Sequence, residues 1–232
     1  GMPLNVIGTW KTFEPAGGLN ADVRTLALMA DGKIVVGGDF TFAGDYSRNG
    51  VARFLPDASL DQTFLHYGGG ANDSVRALVV QSDQRVVIGG WFTSVGGYNL
   101  NYIARLNFDG TVDGSFNVIA GADNPVYALA ETFINGNRKI VVGGSFSSFN
   151  QLPYNHVVRL NDNGSLDAGF QVGLGANGNV FAIAVQPDGK AVIGGDFTAV
   201  NGITRPHVAR LNTDGSVDLT FDPGLGASDS VR

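Results

Sequence analysis

Self-similarity at a period of about fifty residues constrains this chain more than any other feature. The blocks Val23-Arg24-Thr25-Leu26, Val75-Arg76-Ala77-Leu78, Val126-Tyr127-Ala128-Leu129 and Val180-Phe181-Ala182-Ile183 recur 52, 51 and 54 residues apart, and Val231-Arg232 opens a further copy 51 residues on. A unit this short cannot bury its apolar face alone, so tandem copies must stack and share cores. The organisation that follows is a partial preceding unit over 1–22, repeats over 23–74, 75–125, 126–179 and 180–230, and the start of a fifth unit at 231–232, all in one repeat domain.

Each unit holds four short apolar runs separated by turn residues, a pattern of antiparallel strands and not of helices. The second run reads Lys33-Ile34-Val35-Val36-Gly37-Gly38 and returns as Arg85–Gly90, Lys139–Gly144 and Lys190–Gly195. Its β-branched residues suit a strand buried on both faces. The third run is Val51-Ala52-Arg53, then Ile103–Arg105, Val157–Arg159 and Val208–Arg210, and the fourth ends in Phe64, Phe116, Phe170 and Phe221. Turns such as Asn107-Phe108-Asp109-Gly110-Thr111 and Gln186-Pro187-Asp188-Gly189-Lys190 predict three-residue hairpin loops with glycine in the left-handed position. Ala58 and Gln84 stand where glycine is comfortable and should carry modest strain. The third unit is longer near Asn135-Gly136. The expected fold is all-β, with tandem four-stranded antiparallel repeats arranged as β-propeller blades. Four units leave three arrangements open: a small ring, a slice of a larger one, or self-association that completes a propeller.

Across the units the combined motif V-x-A-L-x-x-x-x-D-G-K-I-V-V-G-G-D-F-T, followed by A-R-L-N-x-D-G-S-L-D-x-x-F, resembles the bacterial delta-60 repeat family. The resemblance runs from Val23 to the C-terminus, with a partial copy in Thr12-Phe13-Glu14-Pro15 matching Thr220-Phe221-Asp222-Pro223. It implies a propeller-like array in large, often surface-associated bacterial proteins, and it supplies no catalytic motif.

Composition narrows the function classes. Fifteen basic and twenty-one acidic side chains give a net charge of −6, so no basic face is available for nucleic acid. There are no cysteines, which excludes disulfides, thiolate nucleophiles and cysteine-based zinc sites. No apolar run is long enough to predict insertion into a membrane, and the start Gly1-Met2-Pro3-Leu4-Asn5 lacks the pattern of a signal peptide. Gly173-Leu174-Gly175-Ala176-Asn177-Gly178 matches a dinucleotide fingerprint as a string, but no βαβ unit surrounds it, and it reads as an inter-unit linker like Gly68-Gly69-Gly70. Asp39 and Asp196 are replaced by Trp91 and Ser145 in the other units, so they read as structural acids. Asn107, Asp109 and Asp113 lack calcium-loop spacing. His66, His156 and His207 are too few and too scattered for a metal site or a catalytic triad. The expectation is no enzyme, no cofactor and no metal.

Two sets of side chains remain. Between the second and third runs the units diverge, and Tyr46, Arg48 and Asn49, Tyr98, Asn101 and Tyr102, Tyr154, Asn155 and His156, and Arg205 and His207 fall there. Aromatics, amides and arginine on one rim suit a protein or glycan surface, and packing against neighbouring units is the competing role. By contrast Arg53 and Asp61, Arg105 and Asp113, Arg159 and Asp167, and Arg210 and Asp218 recur in every unit, always eight residues apart. A three-residue loop places each pair opposite one another on one side of a hairpin, as structural cross-strand bridges. The expected function is a non-catalytic scaffold or recognition module of a larger bacterial surface or secreted protein, extracellular or at the cell surface. The alternatives are a lectin-like carbohydrate binder, a polysaccharide hydrolase or lyase, and a phage tail or particle component.

Overall fold

A computed structural model of the chain describes residues 18–66 and 69–232. The copy at Thr12–Pro15, most of the partial unit 1–22, and Gly68 of the first glycine linker lie outside the described residues. Each unit forms one three-stranded antiparallel sheet, ordered first run, second run, third run. The first strands are Val23–Leu28, Val75–Val80, Val126–Ile134 and Val180–Val185. The second strands are Ile34–Gly38, Val86–Gly90, Asn137–Gly144 and Ala191–Gly195. The third strands are Val51–Phe54, Ile103–Leu106, Val157–Asn161 and Val208–Leu211. The fourth run attaches to the third through a single bridge, at Leu60, Val112, Leu166 and Val217. It stays this short because the following aspartate immediately folds the chain into a side-chain-closed turn.

Second strands sit mid-sheet and are buried on both faces, as their unbroken β-branched sequence requires: Val35, Val36, Val86, Val87, Ile88, Val141 and Val142 are all buried. Alternate residues serve different neighbours. Ile88 packs into a core with Val35 and Val51 of the unit before, whereas Val87 packs into one with Val126 and Ile140 of the unit after. Val141 and Val157 likewise join Val180 and Ile193. The cores therefore lie between units as well as within them, and neighbouring first strands pack side by side along the array.

Ala58 and Gln84 take φ of 70° and 68°, the left-handed region that glycine fills in the other turns. The extra length of the third unit is spent on longer first and second strands, closed by a two-residue turn at Asn135 and Gly136 with φ of 51° and 77°. No helix among the described residues is long and apolar enough to cross a membrane.

Candidate functional site

The divergent segment between second and third strands is a miniature hairpin in every unit: Phe42–Ala43 with Tyr46–Ser47, Ser94–Val95 with Tyr98–Asn99, Ser148–Phe149 with Leu152–Pro153, and Ala199–Val200 with Ile203–Thr204. One residue of the linker ahead of each unit clamps it. Asn20 Oδ1 accepts from the amides of Thr41 and Phe42 at 2.8 and 2.9 Å, and Asn72 from Thr93 and Ser94 at 2.9 Å each. Asn177 does the same for Thr198 and Ala199. Asp123 replaces asparagine in the third unit; burial works against its ionisation, yet the Ser147 hydroxyl and the Ser147 and Ser148 amides hold its carboxyl below the usual range. Sequence reasoning missed this clamp, although an Asn or Asp recurring a few residues before each first strand was its signal.

The hairpin sorts the rim residues into three kinds. Tyr46 and Tyr98 point outward, 44% and 64% exposed, and Leu152, 52% exposed, holds the equivalent place in the third unit. Ile203 fills it in the fourth unit, half-buried. Tyr46 Oη accepts from Gln62 Nε2 at 2.8 Å. Two residues on, Arg48, Tyr154 and Arg205 lie just past the end of the two-residue strand, where the chain leaves the ladder and their side chains turn inward. Arg48 is buried, with Nη1 donating to the Ser47 carbonyl at 2.8 Å and its guanidinium beside the Tyr46 ring, so it is withdrawn from any open rim. Burial lowers its pKa below the ordinary arginine value, against the opposing pull of Tyr46 and Asp61. Tyr154 packs on two inter-unit cores, and Arg205 Nη1 bonds the Thr204 carbonyl at 2.9 Å.

Tyr102, His156 and His207 are the third kind. With φ of 65° to 66° they occupy the left-handed place that Gly50 fills in the first unit at 68°. Their amides donate to Phe92, Phe146 and Phe197, and their carbonyls accept from Gly90, Gly144 and Gly195. The histidine Nδ1 atoms lie 3.2 and 3.1 Å from the Gly144 and Gly195 carbonyls. Burial pushes the His156 ring below its ordinary pKa, against the opposing effect of the Gly144 carbonyl. These three residues thus turn the backbone at the hairpin exit. Asn49 and Asn155 are half-buried and Asn101 is exposed; Asn155 Nδ2 donates to the Leu174 carbonyl at 2.8 Å and Asn101 Nδ2 to that of Ala120 at 3.1 Å.

At the other end of each sheet stand the recurrent charges. The Nε atoms of Arg53, Arg105, Arg159 and Arg210 donate to Oδ2 of Asp61, Asp113, Asp167 and Asp218 at 2.9, 2.8, 2.7 and 2.8 Å. Each guanidinium lies 4.5 to 4.9 Å from the centroid of the phenylalanine that ends the fourth run. Arg53 Nη1 also donates to the Phe108 carbonyl, Arg105 Nη1 to that of Asp162 at 2.6 Å and Arg159 Nη1 to that of Thr213 at 2.7 Å, all in the following unit. A second cation, from Lys33, Arg85, Lys139 or Lys190 at the head of the second run, reaches the same aspartate. For Asp113, burial opposes ionisation, but the Ser115 hydroxyl and amide, Arg85 and Arg105 hold its carboxyl down at about 2. Nearly buried in the first three units and bonded there to the unit that follows, these groups have the geometry of joints between units. Among the described residues no group of three or more His, Asp or Glu side chains is placed to hold a metal ion.

Among solved structures, the chain is similar to the WD40 β-propeller domain of Doa1, with a TM-score of 0.47 and 19% identity over 75% of this chain and 48% of that one. It is also similar to PorZ, an essential bacterial surface component of the type-IX secretion system of Porphyromonas gingivalis, with a TM-score of 0.48 and 12% identity over 89% of this chain and 28% of that one. The chain thus spans about half the length of the first and little more than a quarter of the second. No curated protein matches it. The family model described as a domain of unknown function (DUF5122) beta-propeller matches residues 30–64, 81–116, 136–170 and 186–221, one match in each repeat and more than half the chain together. With antiparallel sheets stacked through shared cores and a family match in every unit, the chain belongs to this β-propeller family.

Proposed function

We propose that the chain is a non-catalytic recognition and scaffold module of a larger bacterial surface or secreted protein, and that it meets a protein or glycan surface through its miniature hairpins. The observation that carries this reading is the contrast within each hairpin. The clamp and the left-handed exit residue are the same device in all four units, whereas the outward position holds Tyr46, Tyr98, Leu152 or Ile203. A rigid frame that displays varied apolar and aromatic tips is suited to binding, because the tips lose little freedom on contact. The finer assignment to delta-60 repeats belongs to this proposal and rests on the motif blocks, as does the surface location. Within it, Tyr46 and Tyr98 are the contact residues, and Arg48, Tyr102, Tyr154, His156, Arg205 and His207 support them from behind.

A glycan array and a binding screen against bacterial surface fractions, run with the unmodified chain and with a Tyr46→Ala, Tyr98→Ala double variant, test the reading. A partner retained by the first and lost by the second supports it. A partner bound equally by both moves the contact surface elsewhere, and turnover of a polysaccharide panel replaces it with an enzyme.

A further inference from the structure

The second residue of every first strand has no counterpart in the neighbouring strand. The register slips between Val23 and Thr25, Val75 and Ala77, Val126 and Ala128, and Val180 and Ala182. A bulge of this kind adds one residue to one strand and turns its side chain out of the ladder. The bulged residues are Arg24, Arg76, Tyr127 and Phe181, and Arg232 holds the same place in the fifth copy. Because first strands pack against first strands along the array, the bulges deliver these side chains to one place. All five, joined by Trp91, line a single cavity of about 390 Å³.

The lining brings three guanidinium groups together in a chain of net charge −6. Arg24 is already neutralised: its Nη2 lies 2.6 Å from Asp39 Oδ2 and 3.0 Å from Asp22 Oδ2. Arg76 is placed differently, because Trp91 stands in its unit where Asp39 stands in the first. Its guanidinium lies 5.4 Å from the Trp91 ring centroid, its Nε is buried without a hydrogen-bond partner, and among the described residues no carboxylate comes within ion-pair distance. Arg232 covers Phe181 at 5.3 Å, and Phe181 in turn meets Tyr127 with centroids 5.4 Å apart. The cavity therefore combines a wall of three aromatic rings with two cations whose hydrogen-bonding capacity is unspent among the described residues.

We infer that this cavity is a binding site for an acidic sugar, a hexuronic acid unit whose carboxylate meets Arg76 and Arg232 and whose C–H face lies on Trp91, Tyr127 and Phe181. Arginine forks match carboxylates in geometry and charge. Aromatic faces cover the apolar face of a sugar ring, a contact that a simple inorganic anion cannot use. A neutral sugar would leave the Arg76 guanidinium unpaired. The volume lies toward the small end of ligand pockets, which span roughly 300–1,000 Å³, and suits one or two sugar rings. The site is separate from the outward hairpin tips and does not depend on their role.

Calorimetric titration of the purified chain with digalacturonic acid, neutral galactobiose and acetate tests the inference. The expected result is saturable binding of digalacturonic acid alone, weakened by salt, and weakened about tenfold or more in Arg76→Gln and in Trp91→Ala. Tyr98→Ala should leave it unchanged, which separates this site from the hairpin surface. Absence of saturable binding at about 10 mM ligand, equal binding of galactobiose or acetate, or unchanged affinity in Arg76→Gln would overturn it. If Trp91→Ala fails to fold by circular dichroism, Arg76→Gln decides alone, since it removes a charge without opening the fold.

Discussion

Arg105 donates from Nε to Asp113 and from Nη1 to the Asp162 carbonyl of the next unit, while its guanidinium covers Phe116. Removing the carboxylate leaves this nearly buried cation facing an empty place, and a broken buried pair costs far more than a surface one. Asp113→Ala should therefore lower unfolding free energy by about 3–5 kcal/mol in urea titrations, and a loss below about 1 kcal/mol would mark the pair as solvent-like. The same groups set the acid limit. The Asp113 carboxyl is held at about 2 against an ordinary 3.8, so its contribution is complete above the ordinary value and is lost as pH falls through the lowered one. Asp61, Asp167 and Asp218 are shifted in the same direction. Stability should be level near pH 5 and fall steeply from about pH 4 to 2, with Asp113 alone contributing about 2 kcal/mol. Thermal unfolding across that range checks it, and Asp113→Asn should flatten the curve. The eight-residue spacing made these pairs legible in the sequence, because a three-residue loop fixes which residues face each other. Their bond to the next unit was not legible, since spacing within one hairpin carries no information about its neighbour.

The glycine pair that ends each second strand has two separate jobs. A Cβ on Gly89 would lie 2.5 Å from Val126 Cγ1 of the next unit, and one on Gly90 would lie 2.1 Å from the Ser74 carbonyl oxygen beside the bulge. The first glycine makes room for the next unit's leading valine, and the second admits the bulged first strand. Gly89→Ala should overpack this inter-unit contact and cost about 1–3 kcal/mol in urea unfolding. An unchanged midpoint would mean that the valine is free to shift. Strand order, turn positions and the longer third unit could be read from β-branched runs and from glycine in turns. The bulge could not, because its position changes from arginine in Arg24 and Arg76 to an aromatic ring in Tyr127 and Phe181, with no glycine to mark it. The end of the hairpin strand also decided the rim: Tyr46 lies on the strand and faces outward, whereas Arg48, just past it, is buried, in a segment too short for a clear sequence pattern.

For the molecule as a whole, second strands buried between neighbours and arginines bonded to the next unit make the units interdependent. That dependence produces a stiff frame on which hairpin tips and bulged residues are displayed, and both proposed contacts require it. The repeat period made the stack legible from sequence, since units of this size must share cores. The cavity lined by the bulged residues was not, because those residues come one from each unit at positions about fifty apart, with Trp91 joining them from just past the end of a second strand. Amide hydrogen exchange, resolved peptide by peptide, tests the shared-core frame most directly. Val86–Gly90 and Asn137–Gly144, enclosed by units on both sides, should exchange slowest and by a common opening, while the tips at Tyr46 and Tyr98 exchange early. Second strands that exchange as fast as those tips, or units that open one by one with unrelated stabilities, would contradict it.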